Sequence, residues 1–523
     1  MKRRSFLKAV GATTLPLTID NFSLKAMSPG PMLARLLAMA TATDHVLVLI
    51  DLNGGNDGLN TVIPIDQYSN LSKARSNVLI PQNKVLKLNG TNLTGLHPSL
   101  PGIQQLYNDG KLHIVQNVGY ENQNFSHFRS ADIWFTASDH NEYLSSGMAG
   151  RYLNLEYPGF PNGYPNSSVP DPLGIQVGSL LNVLFQGPSA QMGIAINNPD
   201  EVFNLVPGIA DTAPNGYPGD QLNYIRLVAQ QTSSYTKTIS TAAKKVTTQG
   251  TYPDTGLAKQ LKVVAKLVAG GLQTRLYMVS LGGFDTHSVQ TEKTDTTKGV
   301  HANLLKTLND AIVAFQNDLQ GLGVANKVVG MTVSEFGRRI KSNDSQGTDH
   351  GSAAPQFIFG NPVNGGKITG SNPSIAANVT VNDNLDKEYD FRSLYASLLR
   401  DWLCLNDDDV RTVLQKDFPY LPLIKQSCST AGVNPLRFEG EPLVKCWPNP
   451  FRENATISYR ADGTHTVIEL MDYSGRSIRQ VVNEDLAPGV YTRELDVSEL
   501  AAGQYIVRYM SLHGMQSIFV VKL

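Results

Sequence analysis

The sequence predicts an α/β protein, with a mostly parallel sheet covered by helices on both faces, followed by a separate all-β sandwich. Three observations predict it. Continuous apolar runs such as Val46-Leu47-Val48-Leu49-Ile50 suit strands buried on both faces. Between such runs lie segments whose apolar residues recur at helical spacing, as strand-helix-strand units require. From Cys446 onward the apolar period changes to two, in short runs separated by turn residues.

The elements follow in order. After the strand at Val46–Ile50, Leu100, Ile103 and Leu106 mark a short helix closed by Gly110, and Leu112 to Val118 is the next strand. The stretch from Gly159 to Asp220 is rich in Pro, Gly and Asn and reads as long loops or an insertion over one end of the sheet. Leu257, Leu261, Val264 and Val268 share one helical face, which Gly270-Gly271 ends. Leu276 to Leu281 is a strand, Leu304 to Leu319 a second helical stripe, Lys327 to Val333 a strand, and Gln356 to Phe359 a short one. In the tail, Ala455–Tyr459, Thr466–Leu470, Val490-Tyr491 and Tyr505–Tyr509 read as strands, with turns at Ser474-Gly475 and His513-Gly514. The expected division is a leader at 1–42, an α/β domain at 43–423, a linker at 424–445 and a β-sandwich at 446–523.

With 523 residues the chain exceeds one ordinary core, and a formal net charge of -1 supplies no basic field for nucleic acid. Arg3-Arg4 followed by Phe6-Leu7-Lys8 and an apolar run, Ala9 to Ile19, resembles a twin-arginine export signal. That implies handling by the twin-arginine translocase, with Ala26 one candidate for the cleavage point. No other run reaches transmembrane length, so no transmembrane helix is expected. Cys404, Cys428 and Cys446 allow three single pairings with one thiol left over, and none has metal-site spacing.

Ligands of an open α/β sheet bind beyond the carboxyl ends of its strands. The first strand ends at Asp51 and Leu52-Asn53-Gly54-Gly55-Asn56-Asp57-Gly58; a carboxylate there suits a hard metal, and the same residues also make ordinary turns. The second leads to Ser126 and His127 at a helix start, where a hydroxyl serves as nucleophile, anion ligand or simple cap. The third leads to Gly283-Phe284-Asp285-Thr286-His287, a carboxylate–imidazole pair suited to a divalent transition metal. The fourth leads to Ser334-Glu335-Phe336-Gly337-Arg338, then by a loop to Thr348-Asp349-His350. Glu335 is a further candidate ligand, Arg338 a candidate fork for phosphate or sulfate, and His350 a ligand or acid. Polar groups at so many strand ends of one sheet point to a single anionic, metal-assisted site.

These motifs, together with Gly150-Arg151-Tyr152-Leu153, resemble the bacterial domain-of-unknown-function 1501 family over roughly 44–421, a family related to alkaline phosphatases and sulfatases. The resemblance implies an alkaline-phosphatase-like fold. It also implies Asp51, Asp285, His287, Glu335 and His350 as metal ligands and Ser126 as nucleophile; the constellation itself gives Arg338 the equatorial oxygens of the ester and His350 or His127 the protons. Phe336 stands where a second ligand is expected, and Asp285 and His287 are closer than in two-metal phosphatases. The tail resembles the C-terminal sorting domain of type IX secretion cargo, through Pro448-Asn449-Pro450-Phe451, Asp472-Tyr473-Ser474-Gly475-Arg476, Leu500-Ala501-Ala502-Gly503 and the terminal Val520-Val521-Lys522-Leu523. The expectation is an exported, cell-surface or secreted hydrolase of phosphate or sulfate esters. It would use a divalent metal, with zinc, manganese, calcium and magnesium not distinguished, and the type IX machinery as a partner. The alternative is a non-catalytic surface protein that holds an anionic ester or glycan on a degenerate hydrolase fold.

Overall fold

The computed structural model describes residues 18–19, 22–23, 44–197, 235–426, 428 and 444–523, the last without 453, 462, 464, 473–475, 488 and 512–514. The Arg3-Arg4 motif, Ala26, most of the 424–445 linker, residues 198–220 of the 159–220 stretch and the turns at Ser474-Gly475 and His513-Gly514 lie outside them. The chain divides into two compact units, Met1–Cys428 and Ser429–Leu523. Among the described residues no helix is long and apolar enough to cross a membrane.

The first unit is built on β1 (Val46–Asn53), β2 (Leu112–Gly119), β3 (Gly174–Val177), β4 (Gly193–Ile196), β5 (Leu276–Gly282), β6 (Val328–Val333), β7 (Gly337–Ser342), β8 (Thr348–Gly351), β9 (Ala354–Phe359), β10 (Lys367–Thr369) and β11 (Tyr389–Asp390). Nine of these form one sheet in the order β10-β2-β9-β6-β1-β5-β3-β4, with β11 also paired to β2. Every pairing in it is parallel except those of β9 with β6 and with β2. The reversal has a simple cause. No helix lies between β6 and β9 to carry the chain back across the sheet, so the next strand runs the other way. The segment expected to be a loop between Arg338 and Thr348 is instead the antiparallel ribbon β7–β8, in which Arg338 faces His350.

Strand β1 is central and explains the unbroken apolar run. Leu47 and Leu49 face a core shared with α3 (His127–Thr136), α4 (Met148–Glu156) and α7 (Phe391–Asp401). Val46, Val48, Ile50 and Leu52 face a second core built with α2 (Pro101–Asn108), α5 (Gly256–Ala269) and α6 (Val300–Gly321). All six side chains are buried, each stabilising the fold by about 1.5–3 kcal/mol. Helix α5 is capped by the Thr255 side chain, which accepts from the Ala258 amide, and Gly270 is its C-cap, with Gly271 beyond it at φ 92°. In α6 the fully buried stripe runs through Leu305, Leu308, Ile312, Phe315 and Leu319, so Leu305 takes the place expected for Leu304.

In register, Asp51 lies opposite Ser280 of β5 and Val333 of β6. The loops leaving β1, β5 and β6 therefore meet at one edge. The loop after β1 is pinned by a fully buried ion pair: Arg75 Nη1 donates to both Asp57 carboxylate oxygens at 2.8 and 3.0 Å. Arg75 closes helix α1 (Tyr68–Arg75), and its other nitrogens donate to the Ile340 and Arg339 carbonyls of β7. Gln290 Nε2 adds a 2.6 Å bond to Asp57.

The second unit contains β12 (Val444–Trp447), β13 (Asn454–Ala461), β14 (His465–Asp472), β15 (Ser477–Asp485), β16 (Gly489–Asp496), β17 (Gly503–Met510) and β18 (Met515–Lys522). They form two antiparallel sheets, β12-β13-β16 and β15-β14-β17-β18. Ile457 and Tyr459 of one and Ile468, Leu470, Val507 and Val520 of the other share a core. Strand β15 shows no period in the sequence because it is an edge strand with Val482 alone buried. Cys404 is bonded to Cys428, and Cys446 is a free, half-buried thiol.

Burial would raise the Asp57 pKa, but the charges of Arg75 and His301 and the bonds from Arg75 and Gln290 hold it below the usual carboxylate value. A depressed folded pKa makes the contribution complete above the unfolded value of about 3.9 and removes it as pH falls through the folded one. Asp57→Asn should cost about 3–5 kcal/mol at neutral pH by leaving Arg75 buried and unpaired. Guanidinium denaturation should show this deficit shrinking as the pH falls into the acid range; a pH-independent deficit would count against the ion pair.

Candidate metal centre

Four strand ends contribute. Helix α3 starts just beyond β2, with Ser126 as its N-cap and His127 as its first residue. The loop after β5 carries Asp285 and His287, the turn after β6 carries Glu335, and the ribbon carries Arg338 and His350. Close approach of the first and third loops depends on Gly54, at φ 120°, where a Cβ would stand 2.3 Å from the Asp285 amide nitrogen. Gly55, at φ 79°, would press a Cβ against the Phe336 ring at 2.3 Å.

Asp285 is the hub. Its carboxylate lies 2.7 Å from His287 Nδ1, 3.2 Å from His350 Nε2 and 3.5 Å from His127 Nε2, and it accepts from Arg338 Nη2 at 2.8 Å. Burial pushes against its ionisation, but the Arg338 guanidinium, by its hydrogen bond and then its charge, leads the groups that lower its pKa to about 2. Ligand atoms of His127, Asp285 and His350 all fall within 4.8 Å of one another.

The outer nitrogens decide what this group can hold. His350 Nδ1 is 2.7 Å from the Phe125 carbonyl, which only accepts, so that nitrogen carries the hydrogen. His127 Nδ1 is 3.0 Å from Glu335 Oε1 and donates in the same way. In the neutral rings both Nε2 atoms then present lone pairs toward the Asp285 carboxylate. Three electron-rich atoms facing one another repel unless a cation lies among them, and burial lowers the His350 pKa, which disfavours a proton in that role. Imidazole–carboxylate donors with outer partners on the far nitrogens fit a divalent transition metal. Phe336 forms an apolar wall, its ring centroid 4.4 Å from that of His350 and 5.0 Å from that of His127.

Other expected residues have different places. Arg338 is a correction: it is buried and not free to hold an anion. Nε donates to Gly55 O at 2.8 Å, Nη1 to Thr348 O at 2.7 Å, and Nη2 to Gly54 O, to Phe284 O at 3.0 Å and to Asp285. Its charge is spent on tying three loops together. Ser126 is exposed, one residue before His127, and makes no side-chain cap bond. Asp51 and Glu335 lie outside the three-residue group. Asp51 is buried 3.5 Å from Ser280 Oγ, and burial, then the charge of Glu335, push its pKa to about 8. Glu335 Oε1 accepts from the Gly54 amide at 2.7 Å, and its buried Oε2 receives no hydrogen bond. His287 joins the hub through Asp285 with 44% of its side chain exposed.

Sequence reasoning did not single out the supports. Gln290 links Asp57 to the Thr286 and Thr348 hydroxyls, and His301 Nε2 lies 3.0 Å from Asn56 Oδ1. Gln290 closes the motif that begins at Gly283 and Thr348 opens the one that ends at His350, but neither motif signals a supporting role. Arg338→Met should lower stability by several kcal/mol, because four loop carbonyls lose a buried charged donor, about 1.5–3 kcal/mol each at most. Urea denaturation should reveal it, with loss of divalent-metal affinity in the remaining folded protein. A variant with unchanged midpoint would refute this clamp role.

Residues 228–408 match the family described as protein of unknown function (DUF1501), and residues 445–522 match the secretion system C-terminal sorting domain. No curated protein matches the chain. Similar solved structures include the PsFucS1 sulfatase from Pseudoalteromonas sp., at 10% identity and TM-score 0.35, covering 90% of each chain. An alkaline phosphatase superfamily protein from Vibrio parahaemolyticus matches at 9% identity and TM-score 0.30, over 91% of this chain and 82% of that one. The phosphonate monoester hydrolase SpPMH from Silicibacter pomeroyi matches at 9% identity and TM-score 0.30, over 91% and 88%. At these scores the structural likeness bears on neither substrate nor mechanism. The two family matches, each over its own residues, stand apart from that likeness.

Proposed function

We propose that the chain is an exported metal-dependent hydrolase of phosphate or sulfate esters, with its centre at His127, Asp285 and His350. The observation that carries this reading is the convergence of two imidazoles and a carboxylate whose ligand atoms lie within 4.8 Å of one another. A divalent ion held there would supply Lewis-acid polarisation of an ester oxygen and a water acidic enough to ionise near neutral pH. Glu335 keeps the His127 proton on Nδ1 and so aims Nε2 at the site. The Phe125 carbonyl does the same for His350. Arg338 fixes the Asp285 carboxylate, and Phe336 excludes water from beside the rings. Half-exposed His287, bonded to Asp285, is the imidazole available to deliver a proton to a leaving group. Ser126 makes no bond that would activate its hydroxyl, which favours water as the nucleophile.

A second reading, a surface protein that binds without turnover, is favoured by one observation. Arg338, the guanidinium nearest the centre, is fully committed to the loops and leaves no planar fork for an ester's oxygens.

Purified full-length protein should carry about one divalent metal per chain, and Asp285→Asn or His350→Ala should lose it. The zinc- or manganese-loaded protein should cleave 4-nitrophenyl phosphate or 4-nitrophenyl sulfate, and Ser126→Ala should change kcat by no more than about twofold. Metal binding without turnover would favour the second reading, and abolition by Ser126→Ala would restore a serine nucleophile. The sorting domain supports delivery to the cell surface or medium, with export through the twin-arginine translocase proposed from Arg3-Arg4. Deleting residues 446–523 should retain the protein inside the cell, as fractionation would show, while metal content stays the same. Unaltered delivery of the truncated chain would overturn the assignment.

A further inference from the structure

A second group of metal-ligating side chains lies beside the start of β1, at the end of that strand away from the metal centre. One ligand atom from each of His45, Cys404 and Cys428 falls within 4.8 Å of the others, and all three residues are half-buried. A single carbonyl gathers them. Trp402 O lies 2.7 Å from His45 Nδ1 and 3.6 Å from each of the two sulfurs. The His45 ring stacks flat on that of Trp402, with centroids 3.8 Å apart, which fixes its plane. Trp402 Nε1 donates to the Val46 carbonyl at 2.9 Å, and the Cys428 amide donates to the Asp401 carbonyl at 3.1 Å. These bonds hold the ring and the sulfurs together from outside the S–S bond. The 24-residue separation of the cysteines gave no sign of a metal site, because the imidazole comes from the far end of the unit. Around a tetrahedral zinc the donors stand about 3.3–3.8 Å apart, which small side-chain rotations reach from here once the sulfurs are thiols.

We propose that the reduced chain holds one zinc ion on the Cys404 and Cys428 thiolates and a ring nitrogen of His45, and that disulfide formation expels it. Cysteines are synthesised as thiols, so the metal-binding state comes first. Two thiolates and an imidazole suit zinc, and three protein donors leave its fourth position to water. Binding releases the two thiol protons, and the ring hydrogen sits on the nitrogen that does not face the metal. Oxidation by a small disulfide, RSSR, proceeds by exchange. One thiolate attacks a sulfur of RSSR and expels RS⁻; the other attacks the mixed disulfide and expels the second RS⁻ as Zn²⁺ leaves. The cysteines lose two electrons and the oxidant gains them. The metal thus fastens the residue before β1 to Cys428, the last residue of the first unit, until the disulfide takes its place. None of this depends on the hydrolase reading.

Cobalt(II) titration of the full chain tests this. Sulfur-to-cobalt charge-transfer absorption in the near ultraviolet reports thiolate ligands, and the His127–Asp285–His350 centre has no sulfur. Protein reduced with a phosphine should bind about one cobalt more per chain than oxidised protein and show this band, and zinc should abolish it. The double variant Cys404→Ser/Cys428→Ser should lose the band, and Cys446→Ser should keep it. His45→Ala should weaken cobalt binding at least about tenfold, and His45→Cys, which restores a donor, should recover it. Oxidised glutathione added to the zinc form should release about one zinc for each pair of thiols lost, as a chromogenic zinc indicator reads. Thermal melting follows the fold throughout. Absence of the band from reduced, folded protein overturns the proposal, as does a band indifferent to His45→Ala or equally strong in urea-unfolded protein. Unfolding of the chain on reduction in the presence of zinc, or zinc that stays bound after the disulfide has formed, overturns it as well.

Discussion

The Arg338 guanidinium is the constraint on which the site depends. It is a buried charge that reaches the carbonyls of Gly54, Gly55, Phe284 and Thr348 and the carboxylate of Asp285. A charge taken out of water is tolerated only with such compensation. The cost of desolvating one arginine therefore becomes a geometric demand on three loops at once. Two glycines meet that demand by letting backbone approach backbone and ring, at Gly54 and Gly55.

Beneath this clamp lies a second one. Asp57 and Arg75 form an ion pair with no exposed surface, and Arg75 continues to the ribbon strand that carries Arg338. Gln290 and Thr348 link the two clamps through their side chains. The loop beyond β1 thus serves as structural mortar. The groups facing solvent, by contrast, are histidines whose far nitrogens are fixed by Glu335 and by a backbone carbonyl. Rigid support below and oriented imidazoles above are what a preorganised metal centre requires.

Much of the fold was legible because its signals are local. A five-residue apolar run bounded by turn residues suits a strand buried on both faces, and Gly270-Gly271 after a helical stripe suits its end. The carboxyl-end rule drew attention to Asp285, His127 and His350, whose ligand atoms lie within 4.8 Å of one another. Edge strand β15 and the ribbon β7–β8 escaped notice because neither buries a periodic apolar face. The role of Arg338 escaped for a related reason: an arginine fork reads the same in sequence whether it awaits an anion or is saturated by carbonyls.

By itself, the sequence determined which residue types stand at the ends of the strands, and hence that polar groups gather at one edge of the sheet. It also determined the change of period that separates the α/β unit from the β-sandwich. Only the tertiary structure decided which groups share a space. Asp285 meets His127 and His350 across separations of 158 and 65 residues, as the residue numbers give, while Asp51 and Glu335 lie outside their group. The physical reason is that a side chain's partners depend on loop positions. Those positions follow from buried charges paired at long range, Asp57 with Arg75 and Arg338 with the loop carbonyls, which no local periodicity encodes.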